Sequence, residues 1–446
     1  MTSLDAGYAY FDARVRPRLL GERAQRLLMG LMLLVLLQML LLPNPLLSEL
    51  TGYAEPGGMP LLKVHFYSYT LLIALLFVVA CVGLVRFVSE QAVKRPGVLQ
   101  FAGVVALCAI VTIFRQGIGG VAYMVDTLFA APLAVMLVFY LDEDRRQRLT
   151  AFIIWFVTFN AAIGVVERVV GVHLFMLGDS ANFEYFRATA LMGHPLENAF
   201  ITSSVMFLVV AMPWSAWRKF VVLSICMAGI LAFGARSSFA VTIALGIAAA
   251  LLFGGRALLR GEMRLSTLAS APWIALVSLA AFTALTFGTS LGERIVQLAK
   301  LDESAQTRVD VFGLFDSLST NDLLYGANLT KVGFTLETFN NVKIIENCWI
   351  AILLMLGAVL FVVFAISLLG FFRSIARGRG AVAAFAVLSF LLVASTSNSI
   401  SSKTPSLVLF AVALVGIPLV ARRRPEGGEE GEAVRYTVPL REGVWS

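Results

Sequence analysis

The stretch WIAILLMLGAVLFVVFAISLLG at residues 349–370 contains no charged side chain and is long enough to decide the fold class. A helix needs about 17–25 mostly apolar residues to cross the hydrocarbon core of a bilayer. Similar apolar runs recur along the chain of 446 residues, of which 59% are hydrophobic and only 14% are charged. Together with a mean hydropathy of +0.85, this composition excludes an ordinary soluble domain and predicts an integral membrane protein.

The apolar runs predict an all-α fold, because none shows the alternation of polar and apolar residues, over roughly ten residues, that builds a membrane β-barrel. Their lengths and polar breaks indicate about twelve transmembrane helices. The predicted spans are 27–43, 66–88, 98–114, 119–141, 149–168, 195–213, 218–234, 237–254, 269–290, 345–370, 381–397 and 404–421. The corresponding segments are 1–26 before the first span, helices one to nine within 27–290, a large loop at 291–344, helices ten to twelve within 345–421, and a tail at 422–446.

The basic residues predict the orientation of these helices. If the amino terminus is cytoplasmic, most of the 35 Lys and Arg residues fall on the cytoplasmic side, as the positive-inside rule requires. Both termini are therefore predicted to be cytoplasmic, and the net charge of +7 does not indicate a nucleic-acid partner. The Gly/Glu-rich tail after Pro425 is predicted to be disordered. The first apolar run is long enough to span, so we expect a retained anchor rather than a cleaved signal.

Three arginines are predicted on the opposite face, which carries two long segments, 169–194 and 291–344. Arg187 precedes a span, Arg236 lies in a very short break between two spans, and Arg308 lies in the long loop. Guanidinium groups at a membrane boundary are costly unless they have a function or a partner, and they bind phosphate well. The sequence therefore predicts a site for a phosphorylated lipid headgroup on this face.

Two of these arginines also have an ordinary structural interpretation. Arg187 could snorkel to the interface or neutralise Glu184, as arginines near helix ends commonly do. Arg236 could form an internal ion pair with Asp126 or Glu167.

Two groups are candidates for proton transfer. Glu346 lies with Asn347 at the start of the tenth span, where a carboxylate can act as a general base or can stabilise the amino terminus of the helix. His194 is the second candidate, although a hydrogen bond at the start of a helix is the commoner role for such a residue. His194 and Glu197 are three residues apart, but no further ligand clusters with them, so no metal site is predicted.

Polar residues within the predicted bundle indicate a hydrated cavity or cross-links between helices. Asp126 lies inside the fourth span, and Lys403 ends the Ser-rich run 395–402 before the last span. Both are unexpected in contact with lipid, and we expect them to line the cavity together with Asn347.

The order of these motifs resembles that of the O-antigen ligase and polymerase superfamily of membrane glycosyltransferases. The resemblance covers most of the chain between Arg187 and Lys403. It rests on Arg-x(5)-Gly-His-Pro at 187–195, Gly-Ala-Arg-Ser-Ser at 234–238, Ala-Gln-Thr-Arg at 305–308, Leu-Tyr-Gly at 324–326, Glu-Asn at 346–347 and Lys-Thr-Pro at 403–405.

The resemblance implies a metal-independent, inverting glycosyltransferase that needs no cofactor and uses a glycan linked to undecaprenyl pyrophosphate. It implies that Arg187 and Arg236 engage the pyrophosphate and that Glu346 lies beside the acceptor. Arg308 is expected as a third ligand because topology places it on the same face. Ligases of this superfamily usually carry His-Asn where this chain has Glu346 and Asn347, so a polysaccharide polymerase is favoured.

The implied location is the bacterial inner membrane, with the active site facing the periplasm. The expected partners are membrane lipid, the lipid-linked oligosaccharide, a flippase and a chain-length regulator. A ligase that transfers glycan to lipid A core and a twelve-helix secondary transporter are the alternatives.

Overall fold

The structure, a computed structural model, describes residues 20–53, 59–118, 121–175, 186–259, 311–328, 332 and 345–419. Every regular element in these ranges is helical. The helices are α1 (Glu22–Leu41), α2 (Asn44–Thr51), α3 (Phe66–Val82), α4 (Leu84–Lys94), α5 (Pro96–Gln116), α6 (Ala130–Val138), α7 (Glu143–Val170), α8 (Pro195–Ala211), α9 (Ala216–Phe233), α10 (Arg236–Leu259), α11 (Thr320–Tyr325), α12 (Cys348–Ala376), α13 (Gly380–Ala394) and α14 (Ser406–Val415). A π-helical turn, Met124–Phe129, leads into α6, and two 3₁₀ turns cover Pro60–Lys63 and Val311–Ser317.

The predicted all-α fold is confirmed for the described residues, and its helices have the dimensions of membrane spans. Six helices are long and apolar enough to cross a bilayer, namely α1, α5, α7, α9, α10 and α12. The bent pair α3 and α4 would make a seventh span, and α6, α8, α13 and α14 are shorter apolar helices. The predicted span 269–290 and most of the loop at 291–344 lie outside the described residues.

The predicted span 66–88 is broken at Gly83. There α3 and α4 meet at an angle of 100°, and Gly83 has a φ of +86°, which only glycine adopts readily. Because α4 carries Arg86, Glu90 and Lys94, it turns away as a more polar helix instead of continuing the apolar run.

The long helix α12 is broken at Gly357, which lies within the predicted span 345–370. Gly357 has φ +76° and ψ 162°, and a Cβ placed on it would lie 2.4 Å from the backbone N of Gly326. The segment after α11 therefore packs directly against the break, and the backbone N of Ala327 donates to the carbonyl of Leu354 at 2.7 Å.

The centre of the bundle is α14, in which every residue is buried. It packs against α6, α7 and α8, so its apolar side chains contact protein on all sides.

The bundle has two chemically different ends. At the first, which we call the basic end, α1, α7 and α13 begin, and Arg145 of α7 forms an ion pair with Glu22 of α1. At the second, which we call the loop end, α7 ends, α8 begins, and α9 turns into α10. The loop end contains every candidate site residue that the structure describes.

Candidate functional site

The backbone that carries Arg187 is fixed by the carboxylate of Glu167, near the end of α7. One oxygen of Glu167 accepts hydrogen bonds from the backbone N–H groups of Thr189 at 2.7 Å and Ala190 at 2.8 Å. The other accepts from the N–H of Leu174 at 2.5 Å. Glu167 is 6% exposed, so a buried carboxylate holds together the two sides of the connection between α7 and α8.

Two asparagines add a second set of bonds to the same connection. Asn160 donates to the side-chain oxygen of Asn198 at 2.8 Å and accepts from the N–H of Leu191 at 2.8 Å. Asn198 donates to the carbonyl of Thr189 at 2.5 Å. The path of the chain from Arg187 to α8 is therefore set by buried side chains of α7 and α8.

The segment that carries Arg187 lies against the turn between α9 and α10. The backbone N of Ala188 donates to the carbonyl of Ala232 at 3.2 Å. Gly234 closes α9 in the left-handed conformation with φ +65°, and Arg236 is then the first residue of α10. Arg187 and Arg236 thus belong to segments in direct backbone contact. The N–H groups at the start of α10 add partial positive charge at the same place.

The start of α12 joins this region through the Ser-rich run. The hydroxyl of Thr396 donates to the hydroxyl oxygen of Ser237, next to Arg236, at 2.8 Å. The indole N–H of Trp349 donates to the hydroxyl oxygen of Ser395 at 2.7 Å. Glu346 lies three residues before Trp349, so the Ser-rich run links the segment that carries Glu346 to the segment that carries Arg236.

Asn347 has a structural role in addition to its predicted place in the cavity. It is the N-cap residue of α12, and its side-chain oxygen accepts from the N–H groups of Trp349 at 3.0 Å and Ile350 at 3.2 Å. This bonding satisfies two backbone groups that a helix terminus otherwise leaves free, and it fixes the direction in which the chain leaves Glu346.

His194 lies at the start of α8 but makes no capping hydrogen bond to the helix, unlike the expected role. Its neighbour Gly193 has φ +72° and packs against Pro43 and Pro45, where a Cβ would lie 3.0 Å from Pro45. Burial lowers the pKa of His194 to about 4. The imidazole is therefore neutral at pH 7 and only weakly basic.

Asp126 is fully buried and receives donors from three different groups. Its carboxylate accepts from the hydroxyl of Tyr53 at 2.7 Å, the hydroxyl of Ser68 at 2.6 Å and the backbone N of His65 at 3.0 Å. The π-helical turn around Asp126 thereby cross-links the chain before α3 and the first turn of α3.

Lys403 lies beside this cluster. Its ammonium group donates to the carbonyl of Tyr53 at 2.8 Å and lies 4.1 Å from the centre of the Tyr53 ring. Burial lowers the pKa of Lys403, while the charge of Asp126 acts in the opposite direction. The carbonyl of Lys403 accepts from the side chain of Asn44 at 2.6 Å. Asp126 and Lys403 therefore form one polar cluster.

A second buried carboxylate lies nearby. Glu197, in the first turn of α8, is 6% exposed and accepts a hydrogen bond from the hydroxyl of Ser406, at the start of α14, at 3.3 Å. It lies close enough to Tyr53 and Tyr67 to act on both electrostatically. From the sequence, Glu197 was considered only as a metal ligand. The apolar residues around Glu197 within 195–213 were the signal that this carboxylate is buried.

An apolar groove of about 730 Å³ runs along α9 and α10. It begins at Leu231 and Thr242, close to the turn before Arg236, and reaches Phe220 and Val382 near the basic end. Nearly all of its lining is hydrocarbon, so it could accommodate a lipid chain whose polar group lies at the loop end.

The structure therefore brings the segments of Arg187, Arg236 and Glu346 together and places Asp126 and Lys403 in a polar cluster at the same end. Arg308 and Glu184 lie outside the described residues. Within the described ranges, no group of three His, Cys, Asp or Glu side chains has the arrangement of a metal site. Five residues with hydrogen bonds at this end were not predicted as site residues from the sequence, namely Tyr53, His65, Ser68, Asn160 and Asn198.

No family model matches this chain, and no curated protein matches it. The function is therefore argued from the residues and their geometry.

Proposed function

We propose that this protein is a polysaccharide polymerase of the bacterial inner membrane. It transfers a growing glycan from undecaprenyl pyrophosphate to a lipid-linked repeat unit at the periplasmic face. The observation that carries the proposal is the hydrogen bond from Ala188 to Ala232, because it joins the segment of Arg187 to the turn before Arg236. Two permanently charged side chains in adjoining segments at a membrane boundary suit a diphosphate.

The proposed chemistry needs charge stabilisation more than it needs a strong nucleophile. Undecaprenyl pyrophosphate is a good leaving group, and negative charge grows on it as the bond to the anomeric carbon breaks. Arg187 and Arg236, with Arg308 from the long loop, stabilise that charge, and Glu167 holds Arg187 in place before the substrate arrives. A single displacement inverts the anomeric carbon and needs no metal.

The acceptor hydroxyl must lose a proton as the new bond forms. Glu346 is the proposed general base, and His194 is the second candidate. The structure bears on this choice, because burial lowers the pKa of His194 to about 4 and makes it a weak proton acceptor at neutral pH. Asn347 and Lys403 line the remaining polar surface at this end, with the buried Asp126 beside Lys403.

The groove along α9 and α10 is the proposed site for the polyprenyl chain of the donor. It begins beside the turn that carries Arg236, so a lipid whose pyrophosphate contacts Arg236 can lay its hydrocarbon along Leu231 and Phe220. One molecule would then use both the charged and the apolar part of the site.

The proposed arrangement has twelve spans with both termini in the cytoplasm. The Lys and Arg distribution supports it, and the basic end of the bundle, with Arg145, Arg146 and Arg379, would then face the cytoplasm. The loop end would face the periplasm, where a flippase delivers lipid-linked units and a chain-length regulator can act.

The arginine roles are tested with Arg187→Ala and Arg236→Ala on purified lipid-linked repeat units. We expect each substitution to lower turnover by about 10²–10³-fold, as removal of a preorganised donor does elsewhere. Arg148→Ala is the control, because Arg148 is 72% exposed at the basic end. Normal turnover by either site variant would contradict the assigned roles.

The role of Glu346 is tested with Glu346→Gln, which we expect to lower turnover by about 10²–10⁴-fold. Glu49→Gln is the matched control, because Glu49 is an exposed carboxylate in α2 at the same end. If Glu346→Gln turns over normally while His194→Gln does not, the base is His194.

Product analysis separates the alternatives. A polymerase leaves its product on undecaprenyl pyrophosphate, whereas a ligase moves it to lipid A core. A secondary transporter is the rival suggested by the buried charges of Asp126 and Lys403, because ionisable groups inside a bundle often mark an ion pathway. Uptake of solute by proteoliposomes, without polymer formation, would favour that function.

A further inference from the structure

Three arginines from separate parts of the chain meet at the basic end, and we call them the arginine cluster. They are Arg95 just before α5, Arg146 in the first turn of α7, and Arg379 just before α13. The Cζ of Arg95 lies 3.0 Å from the centre of the Phe139 ring, and the Cζ of Arg146 lies 5.8 Å from the same centre. Two guanidinium groups thus share one aromatic ring.

Arg379 is held at the end of α14. It is 6% exposed, and it donates to the carbonyls of Ile375 and Val415, each at 2.5 Å. The backbone of Arg146 lies against the next residue, since a Cβ on Gly416 would be 2.2 Å from the carbonyl oxygen of Arg146. Arg146 and Arg379 therefore contact the carboxyl end of α14, and Arg95 joins them at Phe139.

Asp142 and Glu143 act electrostatically on Arg146, but the cluster forms no ion pair within the part of the chain that the structure describes. None of the ion pairs in these ranges includes Arg95, Arg146 or Arg379, and the Nε of Arg379 is buried there without a hydrogen-bond acceptor. Burial lowers the pKa of Arg95 to about 9 and that of Arg379 to about 10, and the charge of Arg146 adds to both effects. The exposed carboxylate of Glu143 offsets only part of this repulsion for Arg379.

We propose that the arginine cluster binds a phosphate-bearing anion, either the headgroup of an anionic phospholipid or free phosphate. Guanidinium groups bind phosphate through paired N–H donors, and stacking on an aromatic ring leaves those donors free at the ring edge. The cluster lies at the start of α5 and α7, two helices long enough to span, so a bilayer that these helices cross would have its lipid headgroups at this level. An anion there removes the repulsion among three partly buried cations.

The proposal is tested by thermal unfolding of the full chain in nanodiscs. Three arms are compared: phosphatidylcholine alone, a mixture with phosphatidylglycerol, and phosphatidylcholine with inorganic phosphate at constant ionic strength. We expect the anionic ligand to raise the Tm by about 2–4 °C. A rise only with phosphatidylglycerol identifies a lipid headgroup, and a rise with inorganic phosphate as well identifies free phosphate as a ligand.

The double variant Arg95→Gln with Arg146→Gln should lose this rise in Tm. In neutral lipid its Tm should equal or exceed that of the native chain, because the repulsion among the guanidinium groups has been removed. Arg148→Gln is the matched control, because its exposed side chain pairs with Asp144 and lies outside the cluster. An equal rise in the double variant and in the control overturns the proposal. If the double variant does not fold, Arg95→Lys serves instead. It keeps the charge but lacks the planar donor pair, and an undiminished rise in that variant also overturns the proposal.

Discussion

Glu167→Gln tests whether buried backbone bonds position Arg187. The carboxylate of Glu167 accepts from three backbone N–H groups at 2.5–2.8 Å. An amide can keep only one of the two acceptor oxygens, and its NH₂ group then faces the N–H of Leu174 or those of Thr189 and Ala190. Losing one charge-assisted bond costs about 1.5–3 kcal/mol, and the retained bonds become roughly half as strong. We expect a loss of about 3–5 kcal/mol of local stability.

The consequence for catalysis is a displaced Arg187 rather than a missing one. A misplacement of about 1 Å can cost about 10²-fold in rate, so turnover on lipid-linked units should fall by about that factor. The assay pairs this turnover with the Tm measured by intrinsic fluorescence. Glu143→Gln is the control, because Glu143 is exposed in the first turn of the same helix. Native turnover together with a native Tm in Glu167→Gln would refute the reasoning.

Three further predictions concern stability. Gly357→Ala should lower the free energy of unfolding by more than about 2 kcal/mol, since φ is +76° and the added Cβ would lie 2.4 Å from backbone atoms. Gly370→Ala in the same helix is the control, because its Cβ would meet nothing within 4 Å, and it should be neutral or stabilising. Denaturation of both variants checks this. Tyr53→Phe should cost about 1.5–3 kcal/mol, because it removes a donor at 2.7 Å from the buried Asp126, and a Tm equal to that of the native chain would contradict this. The pKa of His194 is lowered to about 4 from 6.5, so the stability that depends on a neutral imidazole is fully present above pH 6.5 and is lost as the pH falls toward 4, by at most about 3 kcal/mol. The Tm of His194→Gln should therefore change less with pH in that window than the Tm of the native chain. An unchanged Tm–pH profile would exclude this contribution.

Hydropathy was enough to predict the helical class of the described residues. The number of spans between two connections decides whether they share a face, so placing Arg187 and Arg236 on one face stays a prediction, whereas the backbone contact between their segments was not predicted. Pro195 at the start of α8 also marked its boundary correctly, because proline suits the first turn of a helix.

The remaining features depend on contacts between distant segments. The apolar run at 66–88 shows no sign of the bend at Gly83, and the break at Gly357 exists because the backbone of Gly326 packs into it. Hydropathy also cannot separate a helix that faces lipid from one that is surrounded by protein, so the central position of α14 was not predictable. The donors to Asp126 come from residues that the sequence gives no reason to group with it.

The hydrogen bond from Asn44 to Lys403 spans 359 positions of the chain and has a consequence for biosynthesis. A membrane protein is inserted while it is being translated, so the first helices are in the bilayer before the last helices have been synthesised. The polar cluster at the loop end can close only after the ribosome has synthesised Lys403. A nascent chain that stops before this point would expose Tyr53 and Asp126 without their cationic neighbour, and such unfinished chains offer quality-control proteases a recognisable defect.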